Sequence, residues 1–161
     1  MNAKDRGLGY LAKRSRTEKE MCLYLEKGGF SEEEVHVALE YLTEMGYIDD
    51  DRYCREYYRY AAEKGKSLQL IEYELQSRGV EPYVIEDSFE AMKEEENIDL
   101  QEEERKRACE VAEKMAKKDG GKDASKLPGR IGRRLKALGY DSDLIYGIVG
   151  RYMEEGHGRD I

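Results

Sequence analysis

The chain has 161 residues, 39% of them hydrophobic and 40% charged, with a formal net charge of −8; that balance supports several small cores sharing faces better than one deep core. No stretch is long and apolar enough for a membrane span, and the opening Met1-Asn2-Ala3-Lys4 lacks the apolar run of a signal peptide, so a soluble, cytoplasmic protein without membrane contact is expected. The negative charge also weighs against tight non-specific binding to nucleic acid, because long-range repulsion opposes local attraction.

A short helix is predicted around Leu8, Leu11 and Ala12. The next helix carries Met21 and Leu25 one turn apart and ends in Gly29-Phe30. A glycine in the left-handed conformation just past a helix brings the leucine four residues earlier against the apolar residue that follows. Ser31 and Glu34 form a capping-box signature for a third helix with Val35 and Leu39 on its buried face, closed by Leu42, Gly46 and Tyr47 in the same manner.

From about Asp50 a helix runs through Tyr53, Tyr57, Tyr58 and Ala61. A second cap helix follows with Ile71, Leu75 and Gly79-Val80, and then Pro82 at a first helical position introduces Ile85 and Phe89. The seventh helix is the longest, from about Leu100 to Lys118, with Ala108, Val111, Ala112 and Met115 on one side and the flexible loop Asp119 to Asp123 after it. A third cap helix then carries Ile131, Leu135 and Gly139-Tyr140, and Asp141 or Ser142 caps a last helix with Ile145 and Val149.

The phrase of a leucine, a glycine four residues on and an apolar residue next thus recurs at Leu25, Leu75 and Leu135, which makes the chain a tandem array. The second and third apolar residues, Val80 and Tyr140, lie sixty residues apart against fifty for Phe30 and Val80, so the third unit is the longer. No sustained period-two alternation supports strands. The expected fold is all-α, a tandem array of three three-helix repeats, elongated and curved, with repeats at 1–48, 49–97 and 98–156 and a flexible tail at 157–161.

Chemistry-bearing motifs are scarce. Cys22, Cys54 and Cys109 fall one to a unit, too scattered for a disulfide framework, and without a short Cys or His pair they do not suggest zinc, even with His36. With His36 and His157 the only histidines, and no nucleophile motif or phosphate loop, neither an enzyme nor a cofactor is expected.

Charge is distributed unequally. Residues 1–50 hold seven basic and eleven acidic side chains, 51–100 seven and thirteen, and 101–161 fourteen and twelve. Lys126 to Tyr140 contains no acid, and Arg130, Arg133 and Arg134 can share one helix face that meets phosphates or acidic side chains. A smaller cluster, Lys13, Arg14 and Arg16, precedes the first cap helix. On the tyrosine-rich helix, Tyr53, Tyr57 and Tyr60 form a stripe expected to face the core, which leaves Tyr58 as the surface candidate beside Arg52, Arg55 and Arg59.

The run Gly46-Tyr-Ile-Asp-Asp-Asp-Arg52-Tyr-Cys-Arg-Glu-Tyr57, with Lys64-Gly-Lys66, Ile71 to Leu75 and Arg78-Gly79-Val80, closely resembles the central signature of the RecX regulatory protein family. Tyr10-Leu-Ala-Lys-Arg-Ser-Arg16, Leu25, Gly29-Phe30 and Ser31-Glu-Glu-Glu-Val35 resemble its first repeat, and Arg133-Arg-Leu135 with Gly139-Tyr-Asp-Ser-Asp143 its third more loosely.

The resemblance implies a bacterial modulator of the recombinase RecA, usually an inhibitor, that lies along the groove of the RecA–DNA filament and impedes ATP hydrolysis, strand exchange and filament growth in recombination, DNA repair and the SOS response. It supplies no catalytic residues. Its best marked positions here are Asp50, Asp51, Arg52, Tyr57, Lys64 and Lys66, and the expected partner contacts are Arg52, Arg55, Tyr58, Lys64, Lys66, Arg130, Arg133 and Arg134. The first two units are acidic, so any DNA contact falls weakly or indirectly on the third repeat, and the chain is expected to act as a monomer. A helical DNA-binding module acting without the recombinase and a generic helical scaffold are the competing readings.

Overall fold

The computed structural model describes residues 1–159, and side chains as far as residue 153. Among the described residues it is all-helical: α1 (Ala3–Leu11), α2 (Glu18–Lys27), α3 (Glu32–Glu44), α4 (Asp50–Glu63), α5 (Leu68–Ser77), α6 (Pro82–Glu96), α7 (Leu100–Asp119), α8 (Leu127–Ala137) and α9 (Ser142–Arg159). The helices fall into three sets of three in chain order. None of the described helices is long and apolar enough to cross a membrane. The tail expected at 157–161 concerns side chains, and at 160–161 backbone, outside the described residues.

Local chemistry explains where the helices begin and end. Thr17 and Ser31 each accept the N–H three residues ahead while Glu20 and Glu34 reach back to the N-cap N–H, two complete capping boxes. Asn2, Asp99 and Asp141 cap α1, α7 and α9 with their side chains. At the C-termini of α2, α5 and α8 the glycines Gly29, Gly79 and Gly139 have φ of 88°, 94° and 92°. The N–H of Phe30, Val80 and Tyr140 returns to the carbonyl of Leu25, Leu75 and Leu135 at 3.3, 3.1 and 3.2 Å, which is the Schellman geometry the repeated phrase requires. The same pair of bonds closes α3 at Gly46 and α4 at Gly65.

The described chain forms two compact units, Met1–Tyr58 with Tyr73–Glu95, and Arg59–Glu72 with the residues from Glu96 onward. Their boundary passes through α4 and α5, so the second set of helices contributes to both. In the first unit Met21, Leu25, Val35, Ala38, Leu42 and Ile48 form a core closed by Ala3. Here α1 faces inward with Ala3 and Gly7, while Leu8 and Leu11 pack at the margin and Ala12 lies past the helix end. The reason is space: a Cβ on Gly7 would stand 2.9 Å from Leu42 Cδ1, so only small residues fit that line of contact. In the second unit Ala108, Ala112, Ile131, Leu135 and Ile148 are buried, and Ile145 and Val149 pack around them half-buried.

On α4 the buried stripe is Tyr53, Cys54, Tyr57, Tyr58 and Ala61, with Tyr58 only 4% exposed and Tyr60 55% exposed. This corrects the expectation for both tyrosines. A stripe at i, i+1, i+4, i+5 and i+8 is wider than a single seam, as a helix covered on two sides requires. Tyr58 meets Phe89 edge-on at 5.8 Å.

Successive sets are joined by one recurring contact. Thr17 Oγ1 donates to the carbonyl of Arg78 at 2.7 Å, and at the equivalent place the N–H of Ser67 donates to the carbonyl of Leu138 at 3.0 Å. Each carbonyl immediately precedes a left-handed glycine. A Cβ on Gly79 would collide with the side chain of Lys19, and one on Gly139 would stand 2.5 Å from Ser67 Oγ and 2.8 Å from Leu70 Cβ. The corresponding position at Gly29 has nothing within 4 Å. Four residues before Ile131, where Thr17 and Ser67 precede Met21 and Ile71, stands Leu127.

Candidate partner-binding surfaces

In the first unit the N-terminus of α4 is anchored by Asp49, whose carboxylate accepts the Arg52 N–H at 3.1 Å. The Arg52 guanidinium donates to the Gly46 carbonyl at 3.0 Å, satisfying an orphan acceptor at the end of α3, yet half of its side chain remains exposed. Arg55 is differently placed. Its side chain is 21% exposed, with Nη1 2.5 Å from Glu95 and Nε 3.3 Å from Asp51, and Asp51 also accepts the Ser88 hydroxyl at 2.6 Å. Arg55 therefore braces α4 against α6 rather than standing open. With Tyr58 in the core, Arg52 is the candidate of this group that presents its charge outward.

Two acids beside these arginines answer to burial. Asp50 accepts the Glu18 N–H at 3.0 Å, but burial, with Glu18, Asp49 and Glu20 nearby, raises its pKa above the ordinary aspartate value. Burial also pushes the Cys54 thiol up to about 11, so it stays protonated and inert at neutral pH.

The sequence signal at Lys13, Arg14 and Arg16 leads to a feature it could not resolve. Arg16 lies 3.6 Å over the Tyr10 ring, which stacks on Tyr24 at 3.7 Å with the planes 5° apart. Arg78 lies 4.4 Å over Tyr57 and donates to the Tyr53 hydroxyl at 2.6 Å, and Arg14 pairs with Glu20 at 2.9 Å. Stacking of this kind holds guanidinium planes in fixed orientation while their edges stay available for hydrogen bonds.

In the second unit Lys64 is exposed, its Nζ 5.6 Å from the ring centre of the exposed Tyr60. Lys66 is half-buried and its carbonyl accepts Arg107 Nε at 3.1 Å. Arg130, Arg133 and Arg134 are all exposed on α8, whose opposite face buries Ile131 and Leu135. They divide between two directions. Arg130 and Arg134 turn toward the end of α7, where with Lys118 and Lys122 they wall a cleft of about 480 Å³, while Arg133 stands outside it. Asp119, its side chain 4% exposed, accepts Arg130 Nη1 at 3.3 Å and the Asp123 N–H at 3.2 Å. Lys118 and Lys122 lie eight and more residues ahead of the arginine row, so no helical spacing connects the two groups.

Among the described residues no group of three or more His, Cys, Asp or Glu side chains gathers to hold a metal, and Cys22, Cys54 and Cys109 are free thiols.

Comparison with known proteins gives a consistent result. The family model for RecX, first three-helix domain, matches residues 3–42, and that for RecX, second three-helix domain, matches residues 49–88. A regulatory protein RecX of Clostridium perfringens is 31% identical over 163 residues, covering 96% of this chain and 72% of that protein. Those of Halorhodospira halophila and Staphylococcus aureus are 34% identical over 87 residues and 25% over 146, and the matched parts span 54% and 51% of those proteins, about half their length. Among solved structures, RecX from Lactobacillus salivarius aligns with a TM-score of 0.73 at 20% identity over 93% of this chain and 94% of that one. A second structure, of a regulatory protein RecX, aligns at 0.71 and 23% identity over 92% of this chain and 71% of that one. At those identities the two structures speak to the fold alone.

Proposed function

The chain belongs to the RecX regulatory protein family, and from that premise we propose that it regulates the recombinase RecA by binding the filament RecA forms on DNA, restraining its ATP hydrolysis, strand exchange and growth. On this reading it is a cytoplasmic, monomeric inhibitor without catalytic activity of its own, acting in recombination, DNA repair and the SOS response. The observation that carries the reading is the 31% identity to a regulatory protein RecX along 96% of the chain, with both family domains falling on α1 to α6.

A tandem array suits such a partner physically. A filament repeats the same surface many times, and linked contacts that are individually weak act together because the second forms at high effective concentration. We assign these contacts to the exposed cations Arg52 and Lys64, to Lys66, and to the α8 row of Arg130, Arg133 and Arg134, with Arg55 as the brace that sets the angle of α4.

The direct test is DNA-stimulated ATPase and strand exchange by RecA as this chain is titrated in. Falling rates with a saturable dependence are expected; unchanged rates at saturating amounts overturn the proposal. Arg52→Ala with Lys64→Ala should weaken inhibition several-fold while keeping the helical circular dichroism of the parent at the assay temperature. The basic cleft at α7 and α8 favours a second reading, a DNA-binding module that acts without the recombinase. That reading requires affinity for bare DNA with a steep salt dependence and an ATPase that recovers fully when excess DNA is added.

A further inference from the structure

We propose that the cleft between the C-terminal end of α7 and the side of α8 is a phosphate-binding groove for a single nucleic-acid strand, contacted by Lys118, Lys122 and Arg134, with Asp119 as the residue that positions Arg130. The ligand deepens the second reading above, in which the basic cleft meets DNA.

The side chains are arranged on two lips. Lys118 lies on the last turn of α7 and Lys122 on the turn that follows, while Arg130 and Arg134 project from successive turns of α8 across the cleft. A row of cations on each side suits a chain of regularly spaced charges better than one small anion. Six of the seven residues that line the cleft are charged, and four of those six are cations.

Asp119 explains how the cleft is held open for this purpose. A carboxylate at a helix C-terminus meets the negative end of the macrodipole and is unfavourable there by itself. Its two bonds, to Arg130 and to the Asp123 N–H, offset that cost and tie α8 to the end of α7. They also leave Arg130 partly neutralised, so the net attraction for phosphate rests on Lys118, Lys122 and Arg134 against the one remaining acid of the lining, Asp123.

The experiment measures fluorescence anisotropy of a labelled single-stranded oligothymidylate with the full chain, in the absence of recombinase, as salt is raised. Arg134→Gln and Lys122→Gln should each weaken binding several-fold and reduce the slope of log affinity against log salt by about 0.7, the value for one phosphate contact on a single strand. Lys136→Gln, at an exposed cation of α8 outside the cleft, should leave both unchanged. Asp119→Ala should weaken binding although it removes a negative charge, and Asp119→Asn, which keeps an acceptor for Arg130, should recover part of the loss. An abasic oligomer should displace the probe as well as the base-bearing strand does.

An absence of binding by the parent chain at low salt overturns the groove. So do equal losses from Lys136→Gln and Arg134→Gln, tighter binding in Asp119→Ala, or displacement by polyglutamate at lower concentration than by the abasic oligomer. Because no recombinase is present, these outcomes are independent of the ATPase result, and either proposal can fail while the other stands.

Discussion

The hydroxyl of Thr17 donates to the backbone carbonyl of Arg78 at 2.7 Å and accepts the Glu20 N–H at 3.1 Å, so one buried side chain caps its own helix and holds the next set of helices. Both bonds are lost in Thr17→Val, which leaves the Arg78 carbonyl and the first turn of α2 unsatisfied. The expected cost is about 1–3 kcal/mol, with Thr17→Ser close to the parent. Urea midpoints of the three proteins check this, and a Thr17→Val midpoint equal to the parent's would show that the joint contributes nothing.

The cap glycines are alike in backbone and unlike in surroundings. Alanine at any of them must adopt a left-handed conformation, costing about 1–2 kcal/mol. At Gly29 that is the whole expense, because nothing lies within 4 Å. At Gly79 and Gly139 the new methyl group also meets Lys19, or Ser67 and Leu70, at less than contact distance. Thermal melts should therefore rank Gly29→Ala well above the other two, and three equal losses would contradict the joint.

Core and surface on the second set of helices are separable by substitution. Leu75 is fully buried and Tyr58 is 4% exposed, so Leu75→Ala should cost about 2–5 kcal/mol and Tyr58→Ala about 3–5 kcal/mol. Gln76→Ala and Tyr60→Ala, at exposed positions, should stay within about 0.5 kcal/mol of the parent. Chemical denaturation distinguishes the pairs; a Tyr60→Ala loss as large as that of Tyr58→Ala would reverse the assignment of the α4 face.

Asp50 gives a pH dependence of defined sign. Its pKa is raised by burial in the folded state, so the folded protein holds the proton more tightly than the unfolded one. The ionised group thus lowers stability at neutral pH, and this cost disappears as pH falls below the unfolded aspartate value. Asp50→Asn keeps an acceptor for the Glu18 N–H without the charge. It should melt higher than the parent at pH 7, by a margin that shrinks toward pH 3.5; a margin that grows on acidification would refute the argument.

Much of the fold is legible because its signals are local. A leucine, a left-handed glycine and an apolar residue specify a helix end within six residues, and Leu25, Leu75 and Leu135 are all fully buried where that phrase places them. The inward face of α1 is not legible, since Ala3 and Gly7 carry almost no hydrophobic signal and matter only because Met21 and Leu42 approach them. Tyr58 and Tyr60 were inverted for a related reason: the width of a buried stripe depends on what covers the helix, which a single helix does not encode. Among the candidate contacts, the arginine row of α8 could be read from spacing. Lys118, Lys122 and Asp119 could not, because a turn and a change of helix direction bring them to Arg130 and Arg134.

The joint between sets has a direction, and that gives the array a grammar. At each junction a residue at the start of the earlier cap helix donates to the carbonyl before a bare glycine at the end of the later one, Thr17 through its hydroxyl and Ser67 through its N–H. Leu127 occupies the first of these places in the third set; it has no hydroxyl, and its N–H is held by the Asp123 carbonyl. Gly29 still presents the second, uncovered. A duplicated copy of the second set should therefore splice in ahead of the first without altering its glycine, whereas splicing one behind the third would first require a donor freed at position 127.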